Sequence, residues 1–237
     1  MATTSSARRG KLFTKLGRAI TVAAKEGGGE IDGNPSLALA VQKAKDASMP
    51  KDNIERAIDR GTGAGADAAA YEAVVYEGYG PGGVAMLIEA LTENRNRTGA
   101  DVRHTLTKFG GSLGEPGSVA YLFSQCGLIV VDAEAHSEEQ LMVAIDAGAE
   151  EIEIDEDVYE VITPAASLSA VRSALDDAEI SYQSAELVQR PTVRVEIDEG
   201  DASTLLKLID ALEDNDDVGE IHANFEIDAE VLERIAG

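Results

Sequence analysis

Apolar residues in the stretch RRGKLFTKLGRAITVAAK (8–25) recur with helical spacing. At about 100° per residue, Leu12, Phe13, Leu16, Ile20, Ala23 and Ala24 fall on one arc. Arg8, Lys11, Lys15, Arg18 and Lys25 fall on a roughly opposite arc, and only Arg9 strays toward the apolar side. The pattern predicts an amphipathic helix whose charged face is entirely cationic. Gly27-Gly28-Gly29 ends it. Asn34-Pro35 supplies an N-cap and first-turn pair for a second helix, which turns Leu37, Val41 and Ala44 inward. Ser48-Met49-Pro50 starts a third, with Ile54, Ala57 and Ile58 inward and Gly61 at its stop. The small-residue run GTGAGADAAA (61–70) reads as a linker.

From Tyr71 the pattern becomes strand-like. YEAVVYEGY and GVAMLIEAL are two strands around the turn Gly80-Pro81-Gly82-Gly83. NRNRTGADVRHTLTKFGG reads as a loop and a helix, with Val102, Leu106 and Phe109 on one face and Gly110 closing it. GSVAYLF is read as a further strand. Residues 127–189 then run strand (GLIVVDA), helix (SEEQLMVAIDAG), two strands, helix (PAASLSAVRSALDDA), strand (ISYQSAELV). That βαββαβ order is the ferredoxin-like split unit. TVRVEI, a helix over 201–213 and DVGEIHANFEI form a last β-α-β before a short helix at 228–236. The strands at 71–124 and the late β-α-β complete one another if 127–189 is an insertion. The expectation is an α+β chain of three domains: a helical domain with its linker (1–70), a discontinuous middle α+β domain (71–126 with 190–237), and an inserted acidic domain (127–189), the last two of ferredoxin-like type.

Charge changes this picture. The 237 residues carry a formal net charge of −24, yet residues 1–66 are net +4, 67–126 net −3 and 127–237 net −25. Such asymmetry suggests separate tasks for the two ends. No apolar run approaches the roughly 20 residues of a membrane helix, and no signal-peptide pattern follows the basic start. One cysteine, Cys126, cannot form an intrachain disulfide, which fits a reducing compartment. The expectation is a cytoplasmic protein with no membrane association; the sequence gives no oligomeric state.

Two sites compete for chemistry. Arg8, Arg9, Lys11, Lys15, Arg18 and Lys25, none interrupted by an acid, suit the tracking of backbone phosphates; the other reading is a solvated helix face. Lys43, Lys45, Lys51, Arg56 and Arg60 continue the supply, interleaved with Asp46, Asp52, Glu55 and Asp59. Asn94, Arg95, Asn96 and Arg97, with Arg103 beyond them, can contact phosphates or base edges. Equally, Asn94 or Thr98 can cap the helix while the arginines pair with carboxylates. Gly-rich GYGPGG and FGGSLGEPG lack the Gly-Lys-Ser/Thr of a phosphate loop and read as turns. His104, His136 and His222 have no metal-ligand spacing, Cys126 reads as packing, and acids at 150–160 and 213–220 are too abundant for any pair to be informative. No catalytic constellation, cofactor or metal site is expected.

RRGKLFTKLGRAITVAAKEGGG, NPSLALAVQKAKDASMPKDNIERAIDRGTG, YEGYGPGGVAMLIEALTENRNRTGADVRHTLTKFGGSLGEPGSVAYLF and IDALEDNDDV strongly resemble the YebC/PmpR family, across residues 8–237. The chain is also similar to the mitochondrial translational activator of cytochrome oxidase, a relative of that family. One departure is at the head, where the family's longer M-A-G-H-S-K-W type segment is replaced by MATTSSA. The resemblance implies three domains, one inserted in another, and a non-enzymatic cytoplasmic regulator. It implies transcriptional regulation by DNA binding, or alternatively a translation factor that binds ribosomes and ribosomal RNA. In the second case the acidic surface would meet basic ribosomal proteins. A third reading, an acidic interaction scaffold without nucleic acid, is opposed by the basic helix.

Overall fold

The computed structural model describes residues 2–63 and 71–236, so most of the stretch read as a linker lies outside the described residues. The expected α+β class is found. In chain order the helical segment holds α1 (Ala2–Gly27), α2 (Pro35–Asp46) and α3 (Lys51–Gly61). Next come β1 (Glu72–Tyr79), β2 (Ala85–Thr92), α4 (Arg95–Lys108) and β3 (Ser112–Leu113). They are followed by β4 (Phe123–Asp132), α5 (Met142–Asp146), β5 (Glu151–Asp155), β6 (Val158–Pro164), α6 (Leu168–Asp177) and β7 (Ser184–Pro191). The chain closes with β8 (Val195–Glu196), α7 (Glu199–Glu213), β9 (Val218–Ala223), β10 (Phe225–Glu226) and α8 (Ala229–Ala236). Two compact units result. One comprises Met1–Ala44, Met49–Phe123 and Pro191–Gly237, and the other Lys45–Ser48 and Ser124–Arg190.

In the first unit, α1 buries Leu16, Ile20, Ala23 and Ala24, the stripe its period predicts, while Leu12 stays 45% exposed. α1 lies directly against the end of α3. A Cβ at Gly61 would sit 2.3 Å from the Thr21 carbonyl oxygen, so this glycine permits a close helix approach as well as a stop. Thr21 marks the same crossing, its hydroxyl donating to the Ala57 carbonyl at 3.0 Å. Asn34 does two jobs. Its Oδ1 accepts from Leu37 N, capping α2, and its amide donates to the carbonyls of Ala23 and Gly28.

The four-stranded sheet of this unit has the order β3-β1-β2-β9. β1 and β2 pair antiparallel from Glu72↔Thr92 to Tyr79↔Ala85, and of the late segment β9 joins the other edge of β2, while β8 and β10 form a separate two-stranded sheet. One face packs Met86 and Ile88 against Val102 and Leu106 of α4 and Leu205, Leu208 and Leu212 of α7. The other gathers Ala85, Leu87, Val119 and Phe123.

Three segments depart from the sequence pattern. GSVAYLF is no strand until Phe123, because the buried Glu77 carboxylate of β1 bends the chain. It accepts from the backbone N–H groups of Gly117 (2.6 Å), Val119 (2.8 Å) and Ala120 (2.9 Å). Burial pushes the Glu77 carboxyl up, but these three amides outweigh it and hold it below its usual range. Within TVRVEI only Val195–Glu196 is extended, paired in parallel with β10. In SEEQLMVAIDAG only Met142–Asp146 is α-helical; before it, Gln140 N and Met142 N bond three residues back, to Ser137 and Glu139.

The second unit has the sheet order β5-β6-β4-β7. Its first and third strands, β4 and β6, are central and antiparallel, which is the connectivity of the split βαβ unit. Ile129, Val131, Leu141, Val161, Val171 and Leu175 are fully buried there. Cys126 is a buried free thiol in β4.

Candidate nucleic-acid interface

The cationic arc of α1 faces the end of α7, within the same unit. Lys11 Nζ donates to Asp214 Oδ1 at 2.8 Å, and Lys15 Nζ to the Glu213 carbonyl at 2.6 Å. Arg18 Nη1 donates to the Asp216 carbonyl at 2.6 Å and to Asp217 Oδ1 at 2.9 Å. Its guanidinium also lies 5.1 Å from the centre of the Tyr71 ring. The physical cause is local. The last carbonyls of α7 have no helical partners and carry the negative end of its dipole, and Asp214, Asp216 and Asp217 follow them. Asp214 draws the Lys11 ammonium up, while burial pushes that of Lys15 down.

Asp217 is the centre of this cluster. Its side chain is only 8% exposed. Besides Arg18 it accepts from Arg97 Nη2 at 2.6 Å and from Thr98 Oγ1 at 2.8 Å. Burial pushes its carboxyl up, but the hydrogen bonds of Arg97 and Thr98 and the charges of Arg97 and Arg18 hold it below its usual range. Nothing in the local sequence at 213–217 distinguishes this acid from its neighbours. Its partners lie 119 to 199 residues away.

The other basic candidates divide as follows. The side chain of Arg8 lies outside those described, and Arg9 and Lys25 on α1 and Lys45 at the end of α2 are exposed. Lys43 of α2 pairs with Glu220 of β9. On α3, Lys51 pairs with Glu55 at 3.4 Å, Arg56 bonds the Asp52 carbonyl and Asn53, and Arg60 bonds the Arg56 carbonyl, all with exposed side chains. Asn94 is the N-cap of α4, accepting from Arg97 N at 3.1 Å. Of its loop, Arg97 takes the carboxylate-pairing alternative, whereas Arg95, Asn96 and, two turns on, Arg103 are exposed.

Two clefts flank α4, and they differ in sign. The first, about 490 Å³, has Arg18 and Arg97 in its lining but also Glu93, Asp101, Asp214, Asp216 and Asp217. The second, about 340 Å³, is lined by Tyr76, Arg95, Asn96, Gly99, Ala100, Arg103 and Leu113, without a carboxylate. Tyr76 was not singled out by its sequence context. Its hydroxyl donates to the Arg95 carbonyl at 2.8 Å, fixing the ring beside the start of α4. Gly99 lets the helix backbone approach that ring, since a Cβ there would lie 3.2 Å from Tyr76 Cε1.

Glu89, Glu220 and His222 form, among the described residues, a group whose donor atoms lie within 4.8 Å of one another. His222 Nε2 is 3.3 Å from Glu89 Oε1 and 3.9 Å from Glu220 Oε2. Cross-strand pairing of β2 with β9 builds this group, which histidine spacing alone does not disclose. The Lys43 ammonium pairs with Glu220, which joins α2 to β9.

A helical N-terminal segment, a four-stranded sheet with helices on one face and a split βαβ unit define an α+β protein with two sign-contrasted clefts around one helix. Residues 3–64 match the TACO1/YebC protein N-terminal domain, and residues 71–225 match the TACO1/YebC second and third domain. The chain belongs to the TACO1/YebC family. A probable transcriptional regulatory protein of Rubrobacter xylanophilus is 56% identical over 98% of this chain and 93% of its own length. Another, from Geobacter sulfurreducens, is 49% identical over 98% of this chain and 93% of its own length. The crystal structure of a conserved hypothetical protein from Aquifex aeolicus superposes with a TM-score of 0.87 at 46% identity, covering 95% of this chain and 93% of that one.

Proposed function

We propose that this protein is a cytoplasmic, non-enzymatic regulator of transcription that binds nucleic acid; of these properties, the names of its relatives carry transcriptional regulation alone. The supporting observation is the carboxylate-free cleft of α4. In a chain of net charge −24, a polyanion is repelled by most of the surface. Arg95 and Arg103 flank a concavity with no acid in its lining, so phosphates meet uncompensated guanidinium groups there. In the cleft on the other side of α4 both arginines are paired with Asp217, and four further carboxylates line it. On α1, Lys11, Lys15 and Arg18 contribute only where the 213–217 stretch is displaced from them, whereas Arg9 and Lys25 are exposed as they stand. Among the described residues no helix is long and apolar enough to cross a membrane.

The test is the affinity of the full chain for duplex DNA and for ribosomal RNA at about 50 and 200 mM salt. Two phosphate contacts on duplex DNA, at a slope of about −0.9 each, give roughly a tenfold loss over that range. Tighter binding of ribosomal RNA would move the protein to translation. Absence of binding to either polymer at the lower salt would refute the proposal.

A further inference from the structure

We infer that the cleft between α4, β1 and β3 is a subsite for an unpaired nucleotide, so that the nucleic acid is recognised where it is single-stranded or where a base is extruded. The inference rests on the nucleic-acid reading above and specifies its ligand. The cleft has two chemically distinct parts. Its half-buried lining forms the floor and is apolar and aromatic: the Tyr76 ring, Leu113 and the α4 backbone at Gly99. Its rim is cationic and polar, with Arg95, Asn96 and Arg103 all exposed. A flat heterocycle suits the floor and a phosphodiester suits the rim. The amide of Asn96, with both donors and an acceptor, suits a base edge.

Geometry separates this ligand from a duplex. Residues 95 and 103 are eight apart on a helix, which spans about 12 Å along its axis. A strand lying along α4 can therefore place two of its phosphates, on either side of one intervening phosphate, on the two arginines. A paired base keeps its faces stacked on its neighbours, and its ring cannot reach a recessed floor behind two guanidinium groups. An unpaired base can, and stacking on an aromatic ring is how proteins hold single strands without reading their sequence. The Tyr76 hydroxyl is already committed to the Arg95 carbonyl, so the ring is oriented before any ligand arrives. Gly99 matters for the same reason: a side chain at that position would press on the ring.

The experiment is fluorescence anisotropy with the full chain and four labelled 12-mers: dT12, rU12, an abasic DNA strand and a DNA duplex. Arg103→Gln and Arg95→Gln remove rim charges that are exposed and carry no fold. Arg194→Gln, exposed before β8, removes the same charge elsewhere. Tyr76→Leu removes the stacking ring while keeping an apolar side chain. A single strand should bind about tenfold tighter than the duplex and the abasic strand. Arg103→Gln should weaken it severalfold and lower the salt slope by about one contact, with Arg194→Gln unchanged. The tighter of dT12 and rU12 identifies the source. Equal binding of abasic and base-bearing strands, or equal effects of Arg103→Gln and Arg194→Gln, would overturn the subsite while leaving nucleic-acid binding intact. Absence of binding to all four probes would remove both.

Discussion

Replacing Asp217 by Asn tests whether one carboxylate fastens α1 and α4 to the turn after α7. The magnitude follows from its partners. Arg18 is 19% exposed against the 8% exposure of Asp217, so their charge-assisted hydrogen bond falls in the range of about 1.5–3 kcal/mol. Thr98 is fully buried and loses an anionic acceptor, worth on the order of 0.5–1 kcal/mol. Arg97 is 54% exposed and stays hydrated when released, so its pair is left out of the sum. The amide oxygen of Asn retains one acceptor, and the expected loss is about 2–3 kcal/mol at neutral pH. Urea unfolding followed by circular dichroism measures it as a shift in midpoint with an unchanged slope. The pH dependence has a definite sign. The carboxyl of Asp217 is held below its usual range in the folded protein. Its contribution is therefore full above the unfolded value near 3.9 and is lost as pH falls through the folded value. The gap between parent and variant should close on acidification below about pH 4. A variant as stable as its parent at pH 7, or a gap that widens toward acid, would refute the reasoning.

Glu77→Gln sets an amide donor against backbone donors at Gly117, Val119 or Ala120, and should cost about 2–4 kcal/mol. Hydrogen exchange should show protection lost first at those three amides; uniform loss across the sheet would contradict the assignment. Gly61→Ala brings a methyl to 2.3 Å of the Thr21 carbonyl and should force α1 and α3 apart, at about 1–3 kcal/mol, read as a lowered thermal midpoint. Converting Asp214 and Asp216 together to Asn should raise affinity for single-stranded oligonucleotides severalfold. It frees the Lys11 ammonium and removes two charges from the acid-lined cleft. Weaker binding by that double variant would mean that the loop is part of the contact surface.

What was legible in the sequence is what is set by neighbours in the chain. The α1 stripe follows from spacing alone, the Asn34 and Asn94 caps from residue type at a helix start, and the βαββαβ order from alternating periods. The fate of charged side chains is not set this way. Lys11, Lys15 and Arg18 have no acid within their own helix face, and their partners arrive some 200 residues later at the end of α7. The reverse holds for Arg95 and Arg103: the same loop supplies Arg97 to Asp217, and only strand register and helix rotation decide which arginine meets a carboxylate. Tyr76 was hidden because its alternating strand context is that of any half-buried residue. The failed strand at GSVAYLF has the same origin, since the Glu77 carboxylate that bends it sits 40 residues upstream of Gly117.

The chain leaves the first unit after Phe123 and re-enters it at Pro191, and next to these points both the amide and the hydroxyl of Thr192 bond the Leu122 carbonyl, at 2.8 and 3.0 Å. For residues 124–190 the doorway is this stapled pair, just before β4 and just after β7; the Lys45–Ser48 piece of the second unit enters separately. Everything between is, for the first unit, one closed loop whose entropic cost grows only with the logarithm of its length, about 0.6 kcal/mol per doubling. The 124–190 segment is thus topologically detachable: it can lengthen, shorten or be exchanged for another fold without rerouting the chain that builds α4 and its clefts.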